Sequence, residues 1–251
     1  MSPLLSDRLQ PETPLLSRRE VVRDIIEWDV YTWSECLSFW SPVVSQCSPS
    51  ARRVLTVGER NGGISLWFAL QGFKVVCSDK GGPSPKAREL HSKYNVSGLI
   101  TYEEVNVFEI PYPENTFHFV AAKSMIGGLK TQSKDPSTRT LDNQRLAVEE
   151  LHRVLKPGGY FLGAENLRDN WLHQRIRYQV KGGRIGWRHL TICEIEWLFS
   201  QFSSVVQCCH GFLGSYVDRF GLDRLTGLLD RCLCPLLPPS WLYVSFIKAR
   251  K

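Results

Sequence analysis

The residues best placed to do chemistry begin in one loop. Gly58, Glu59, Arg60, Asn61, Gly62 and Gly63 follow an apolar run ending at Val57 and precede a segment of helical period. Glycine accepts left-handed backbone and lets main-chain N–H groups come close to a ligand. A helix N-terminus beyond such a loop suits a phosphate or a carboxylate. Asp79 closes the next apolar run, 21 residues after Gly58 (79 − 58). An acid at that spacing meets ribose hydroxyls in nucleotide-binding α/β sheets. The combination points to a cofactor carrying adenosine. Arg60 stands where a dinucleotide loop has its middle glycine, so G-x-G-x-x-G is missing. That disfavours a nicotinamide-dependent oxidoreductase.

A second group of candidates lies further along. In GAENLRDNWLHQRIRY (163–178), Glu165 offers a proton acceptor and His173 a base that works near neutral pH. In GGRIGWRHL (182–190), Trp187, Arg188 and His189 follow two glycines and suit a clamp on an anionic substrate. Trp28, Tyr31 and Trp33 in EWDVYTW (27–33) form an aromatic group that suits a cation or a substrate ring. Each has an ordinary alternative: a salt-bridged loop acid, a helix residue, a capped turn, a packed helix.

These residues need elements to hold them. Strand-like runs stand at 53–58, 74–79, 98–105, 117–123 and 160–166, with helical segments at 63–72, 85–96 and 141–159 between them. Such alternation predicts βαβ units and a mainly parallel sheet. Apolar residues recur at helical spacing from about Ser17 to Trp40, where Pro42 and the SQCSPSARR stretch break the pattern. After residue 190 come a helix at 191–201 and two strands, 204–213 and 240–249, around a helical insert at 221–239. One face of that insert is apolar; it could cover a lipid-like substrate, pair two subunits, or simply pack.

Composition limits the classes open to the chain. Its 251 residues are 43% hydrophobic and 22% charged, enough for one large core. The net charge of +6 is scattered, with no basic run of five, so no nucleic-acid tail is expected. A mild attraction to anionic substrates or membrane surfaces remains. Eight cysteines include no C-x-x-C pair, so reduced thiols and no metal are expected. With no signal-like leader and no apolar stretch near ~20 residues, the expectation is a cytoplasmic protein without a transmembrane segment.

Two further stretches sharpen the picture. VNVFEIPYPENTFHFV (105–120) followed by EELHRVLKPGGYFL (149–162) resembles the class I S-adenosylmethionine-dependent methyltransferases, especially the type 11 group. The likeness covers about residues 50–166, with LKPGG its most specific turn. It implies an α/β, Rossmann-like fold: a mostly parallel seven-stranded sheet flanked by helices. It also implies S-adenosyl-L-methionine as cofactor and a small-molecule acceptor, a sugar, lipid or secondary metabolite. The alternative is a non-catalytic module that keeps the fold.

Carried over by position, the resemblance implies that Gly58, Glu59, Arg60, Asn61 and Gly62 wrap the methionine end. Asp79, with Lys80 beside it, would take the ribose; Asn106, Val107 and Phe108 would border the adenine. Lys123 and Ser124 would lie under the sulfonium. Glu165 and His173 are then the candidate catalytic groups, and Trp33, Trp187 and Arg188 the candidate substrate contacts. The chain departs from the family at Thr56 and Asn106, where acids are usual, at Arg60, and at His118 in place of Asp. The expected organisation is a loose leader at 1–17 and one domain at 18–251. Within that domain, 18–48 is a helical cap, 50–166 the cofactor core, and 167–251 the substrate-side elements.

Overall fold

The computed structural model describes residues 18–49, 52–129, 139–169, 171, 174–175, 188–214 and 223–251. The first apolar run forms β1 (Arg53–Val57), whose Val54 and Leu55 are both fully buried on opposite faces, as a strand covered on both sides requires. It is followed by α4 (Gly63–Ala69), β2 (Lys74–Asp79), α5 (Pro85–Lys93), β3 (Ile100–Glu104) and β4 (Phe117–Lys123). Then come α6 (Arg139–Val154), β5 (Leu155–Asn166), α7 (Ile192–Leu198), β6 (Ser204–His210), α8 (Asp223–Leu233) and β7 (Val244–Arg250). Before β1 stand α1 (Arg18–Ile26), α2 (Val30–Trp33) and α3 (Glu35–Ser45).

The seven strands make one sheet in the order β3-β2-β1-β4-β5-β7-β6. Pairings up to β5 are parallel, and β7 runs antiparallel to both β5 and β6. Strand order reverses between β1 and β4, so a crevice opens beyond their carboxyl ends. Two apolar layers cover the sheet. Val54, Phe119, Ala121, Leu162 and Phe246 face α1, α3 and α4. Leu55, Val120, Phe161 and Ile247 face α6 and α7. The helix α4 is buried along its whole length, so its polar N-terminus lies inside the protein rather than in water.

Three sequence expectations change. The N-terminal segment is three short helices rather than one, broken where Glu27 and Asp29 take left-handed backbone. Pro42 does not end the last of them: α3 runs on to Ser45, and only one hydrogen bond is forfeited by the missing N–H. The helix expected over 141–159 stops at Val154. Its LKPGG tail instead opens β5 as an irregularity, where pairing jumps from Phe117↔Leu155 to Phe119↔Tyr160. Gly158 supplies the left-handed residue there (φ 75°).

Candidate active site

The carboxyl edge gathers most of the expected residues. Gly58 ends β1, Asp79 ends β2, Lys123 and Ser124 end β4, and Glu165 and Asn166 end β5. Gly58 and Gly62 are both left-handed (φ 69° and 77°), as the loop expectation needs. A Cβ on Gly58 would stand 2.6 Å from Cγ of Met125, so the Met125 side chain packs directly on this backbone and leaves no room for a larger residue.

Glu59 is the surprise of the loop. Its side chain is buried and accepts N–H from Ile64 (2.8 Å) and Ser65 (3.3 Å), the first turn of α4. Thr56, which replaces the usual acid of β1, shares a 2.6 Å hydrogen bond with Ser65 Oγ and reaches the Val76 carbonyl. The negative charge has therefore moved three residues along the chain and still satisfies the helix N-terminus. Burial pushes the Glu59 carboxyl up to about 6, with the Lys123 ammonium pulling the other way.

Lys123 is 5% exposed and donates to the Ile26 carbonyl at 2.6 Å. Its Nζ lies 3.6 Å from the Glu27 carboxylate and 3.8 Å from the centre of the Trp28 ring. Burial lowers its pKa, while Glu59 and Glu27 act to raise it. Asn61 completes the link, donating to Glu27 (2.6 Å) and accepting from Ser84 (3.0 Å). Residues 26–28 are thus tied across the glycine loop. Arg60 is exposed, and among the described residues only its backbone is engaged, by Ser84 N–H.

At the other end of the crevice, the Asp79 carboxylate meets, among the described residues, only the N–H of Gly81, at 3.5 Å, which leaves room for hydroxyls. Its backbone carbonyl accepts from Val105 N–H (3.0 Å), which ties the β3 loop to it. Asn106 beside it is exposed, with Oδ1 near Phe108 N–H (3.3 Å); Val107 is buried, Phe108 half-buried and Lys80 exposed. The sequence-predicted ribose acid and adenine loop are brought together.

Glu165 is fully enclosed, and both its oxygens are engaged. Oε1 accepts from Met125 (2.8 Å) and Ile126 (2.7 Å), and Oε2 from Gly127 (3.3 Å). Burial pushes its carboxyl up to about 7. It anchors the turn after β4 rather than facing the crevice with a free oxygen. Ser124, left-handed at φ 51°, accepts from Asn166 Nδ2 at 3.1 Å.

The expected substrate contacts fare unevenly. Trp33 is 2% exposed within the core and meets Trp28 edge to face; Trp28 is the ring at the surface. Arg188 is half-buried, bonded to Glu194 and Gln144. Burial favours protonation of Glu194, but the guanidiniums of Arg168 and Arg188 outweigh it and hold the carboxyl at about 2. His173 and Trp187 lie outside the described residues. His118 sits at the amino end of β4, accepting from Arg53 N–H (3.3 Å) and away from the crevice.

Two residues escaped the sequence reading. His91 Nε2 donates to the Gly62 carbonyl (2.8 Å), and its Nδ1 meets the Tyr102 hydroxyl (2.9 Å). Burial lowers its pKa, keeping it neutral and the loop fixed. A single histidine on a helix carries no signal of this in sequence. Glu27 is the other; its left-handed φ of 71° becomes visible only in the fold.

Residues 55–163 match the family of the methyltransferase domain, type 11. Residues 55–163 of the chain carry a methyltransferase domain of the class I, S-adenosylmethionine-dependent kind. Solved structures agree on the fold of this methyltransferase. It is 15% identical to the YcgJ protein from Bacillus subtilis, with a TM-score of 0.54 over 87% of this chain and 98% of that one. It is 13% identical to geranyl diphosphate C-methyltransferase from Streptomyces coelicolor, solved with S-adenosyl-L-homocysteine, with a TM-score of 0.57 over 87% and 79%. The [4+2]-cyclase SpnF is as similar, at 17% identity and TM-score 0.54 over 88% and 82%. A search of curated protein sequences finds no match. The family's cofactor is S-adenosylmethionine, and the crevice of this methyltransferase suits it. The left-handed glycine loop, Asp79 and the Asn106 loop lie together on the carboxyl edge of the sheet.

Proposed function

We propose that this methyltransferase acts on a small-molecule acceptor, a sugar, lipid or secondary metabolite. The observation that carries the reading is the convergence of Gly58, Asp79, Asn106 and Ser124 on one crevice with the Asp79 carboxylate open. Asp79 takes the ribose hydroxyls, with Lys80 at the rim. Asn106 presents its carbonyl oxygen to the adenine amino group, bordered by Val107 and Phe108. Gly58 to Gly62 enclose the methionine end, and Lys123 and Ser124 lie beneath the reacting centre. When bound, S-adenosylmethionine supplies an electrophilic methyl group on sulfur.

The chain's own work is then to orient the acceptor and keep water out. Glu165 contributes by holding Met125, Ile126 and Gly127 in place, which sets the floor of the crevice. His173 is the remaining candidate base, and Trp187 with Arg188 the candidate rim of the acceptor site. Residues 18–251 are read as one domain, in a cytoplasmic protein. Among the described residues no helix is long and apolar enough to cross a membrane.

Incubation with methyl-labelled S-adenosylmethionine and panels of sugars, lipids and phenolic metabolites tests the reading. Label transferred to a small molecule supports it, and transfer only to a macromolecule overturns it. A non-catalytic module is the second reading. The tie of Glu27 to Asn61 and Lys123 across the loop favours it. It predicts cofactor binding with no transfer to any acceptor.

A further inference from the structure

The helix α8 is turned inside out. Asp230 is fully buried, and its carboxylate accepts N–H from Phe212 (3.1 Å), Leu213 (2.8 Å) and Gly214 (3.1 Å). Thr226 is buried on the same face. Gly227 packs so tightly on α2 that a Cβ would lie 2.5 Å from Cβ of Tyr31. The opposite face carries Leu225, Leu228 (60% exposed) and Leu229. The strip continues to Leu236, 81% exposed, and to the exposed Trp241. A surface helix normally buries its leucines and exposes its acid. Rolling α8 to do so would strip Asp230 from three N–H groups and press a larger side chain against Tyr31. The outward leucines are therefore built in.

Position adds meaning to the strip. The pairings Asn166↔Val244 and His210↔Val244 place the β6–β7 connection, which contains α8, at the carboxyl end of β5. That is the edge that carries Gly58, Asp79 and Ser124. We infer that α8 and the Leu236–Trp241 segment form an interfacial docking surface for an anionic lipid membrane, with the active edge turned toward it. A helix of 11 residues is about 16 Å long, too short to span ~30 Å of hydrocarbon but suited to lying in the headgroup boundary. Tryptophan favours that boundary. The net charge of +6 is attracted to anionic headgroups; Arg231 on the helix flank is half exposed and paired with Glu35 at 2.6 Å. Among the described residues, Leu225, Leu228, Leu229 and Leu236 all stay exposed. The docking requires nothing of the methyl acceptor's identity.

Co-sedimentation of the full chain with phosphatidylglycerol-containing vesicles tests it, with phosphatidylcholine vesicles as the neutral control. The wild type binds the anionic vesicles, and Leu228→Asp and Leu236→Glu each weaken binding about ten-fold or more. Both variants keep the wild-type circular dichroism and thermal midpoint, because both positions are exposed. Absence of wild-type binding to anionic vesicles overturns the inference, as does binding unchanged in both variants. So does light scattering that shows a dimer dissolved by the same substitutions without vesicle binding, which assigns the strip to self-association.

Discussion

Replacing Glu165 by Gln separates an anchor from a proton carrier. Two of its three hydrogen bonds converge on Oε1, and only the 3.3 Å contact from Gly127 reaches Oε2. A glutamine amide keeps the first two bonds and sets its NH2 against one N–H, much as the protonated acid sets its hydroxyl there. The variant therefore resembles the protonated wild type. Burial raises the wild-type carboxyl from 4.5 to about 7. A raised folded-state pKa means that the stability is full below the unfolded value and is lost as pH rises toward the folded one. With these two values the wild type loses roughly 2.5 kcal/mol at this site between pH 5 and pH 8, and the glutamine variant loses none. Urea unfolding of both proteins across that range measures the difference. It shifts in favour of Glu165→Gln by roughly 2.5 kcal/mol, and most of the shift falls below about pH 7. A difference constant with pH refutes the burial argument. Methyl transfer at neutral pH stays within about ten-fold of wild type, whereas loss of a general base would cost ~10²–10⁴.

Two further substitutions probe the loop. Gly58→Ala forces a side chain into left-handed backbone and against Met125. We expect a loss of about 1–2 kcal/mol in thermal or urea unfolding, together with weaker cofactor binding. Lys123→Met removes the cation beside two carboxylates and the bond to Ile26. Unfolding free energy falls by about 3 kcal/mol at pH 8 and by less at pH 5, where Glu59, with its carboxyl at about 6, is largely neutral.

The sheet was legible because its strands are short apolar runs punctuated by glycine, and the boundaries of β2 and β4 coincide with the expected ones. LKPGG misled on helix length because its left-handed Gly158 lets the chain start pairing before Tyr160. The placement of Gly58 and Asp79 on the carboxyl edge was legible because residue type and strand end coincide there. Glu165 was found but its role was not, since three backbone N–H groups from another strand's turn leave no mark in sequence. Thr56 reads as a defect until Glu59 is seen capping α4 in its place. The purpose of Glu27 and His91 depends on partners 34 and 29 residues away. No local pattern reports such pairs.

Titration calorimetry with S-adenosylhomocysteine bears most directly on the central claim, that the crevice between Gly58 and Asp79 holds the cofactor. Wild type binds one equivalent per chain, and Asp79→Ala, with the fold intact by circular dichroism, binds about ten- to a hundred-fold more weakly. An absence of binding at high micromolar ligand, or an affinity unchanged in Asp79→Ala, contradicts the account.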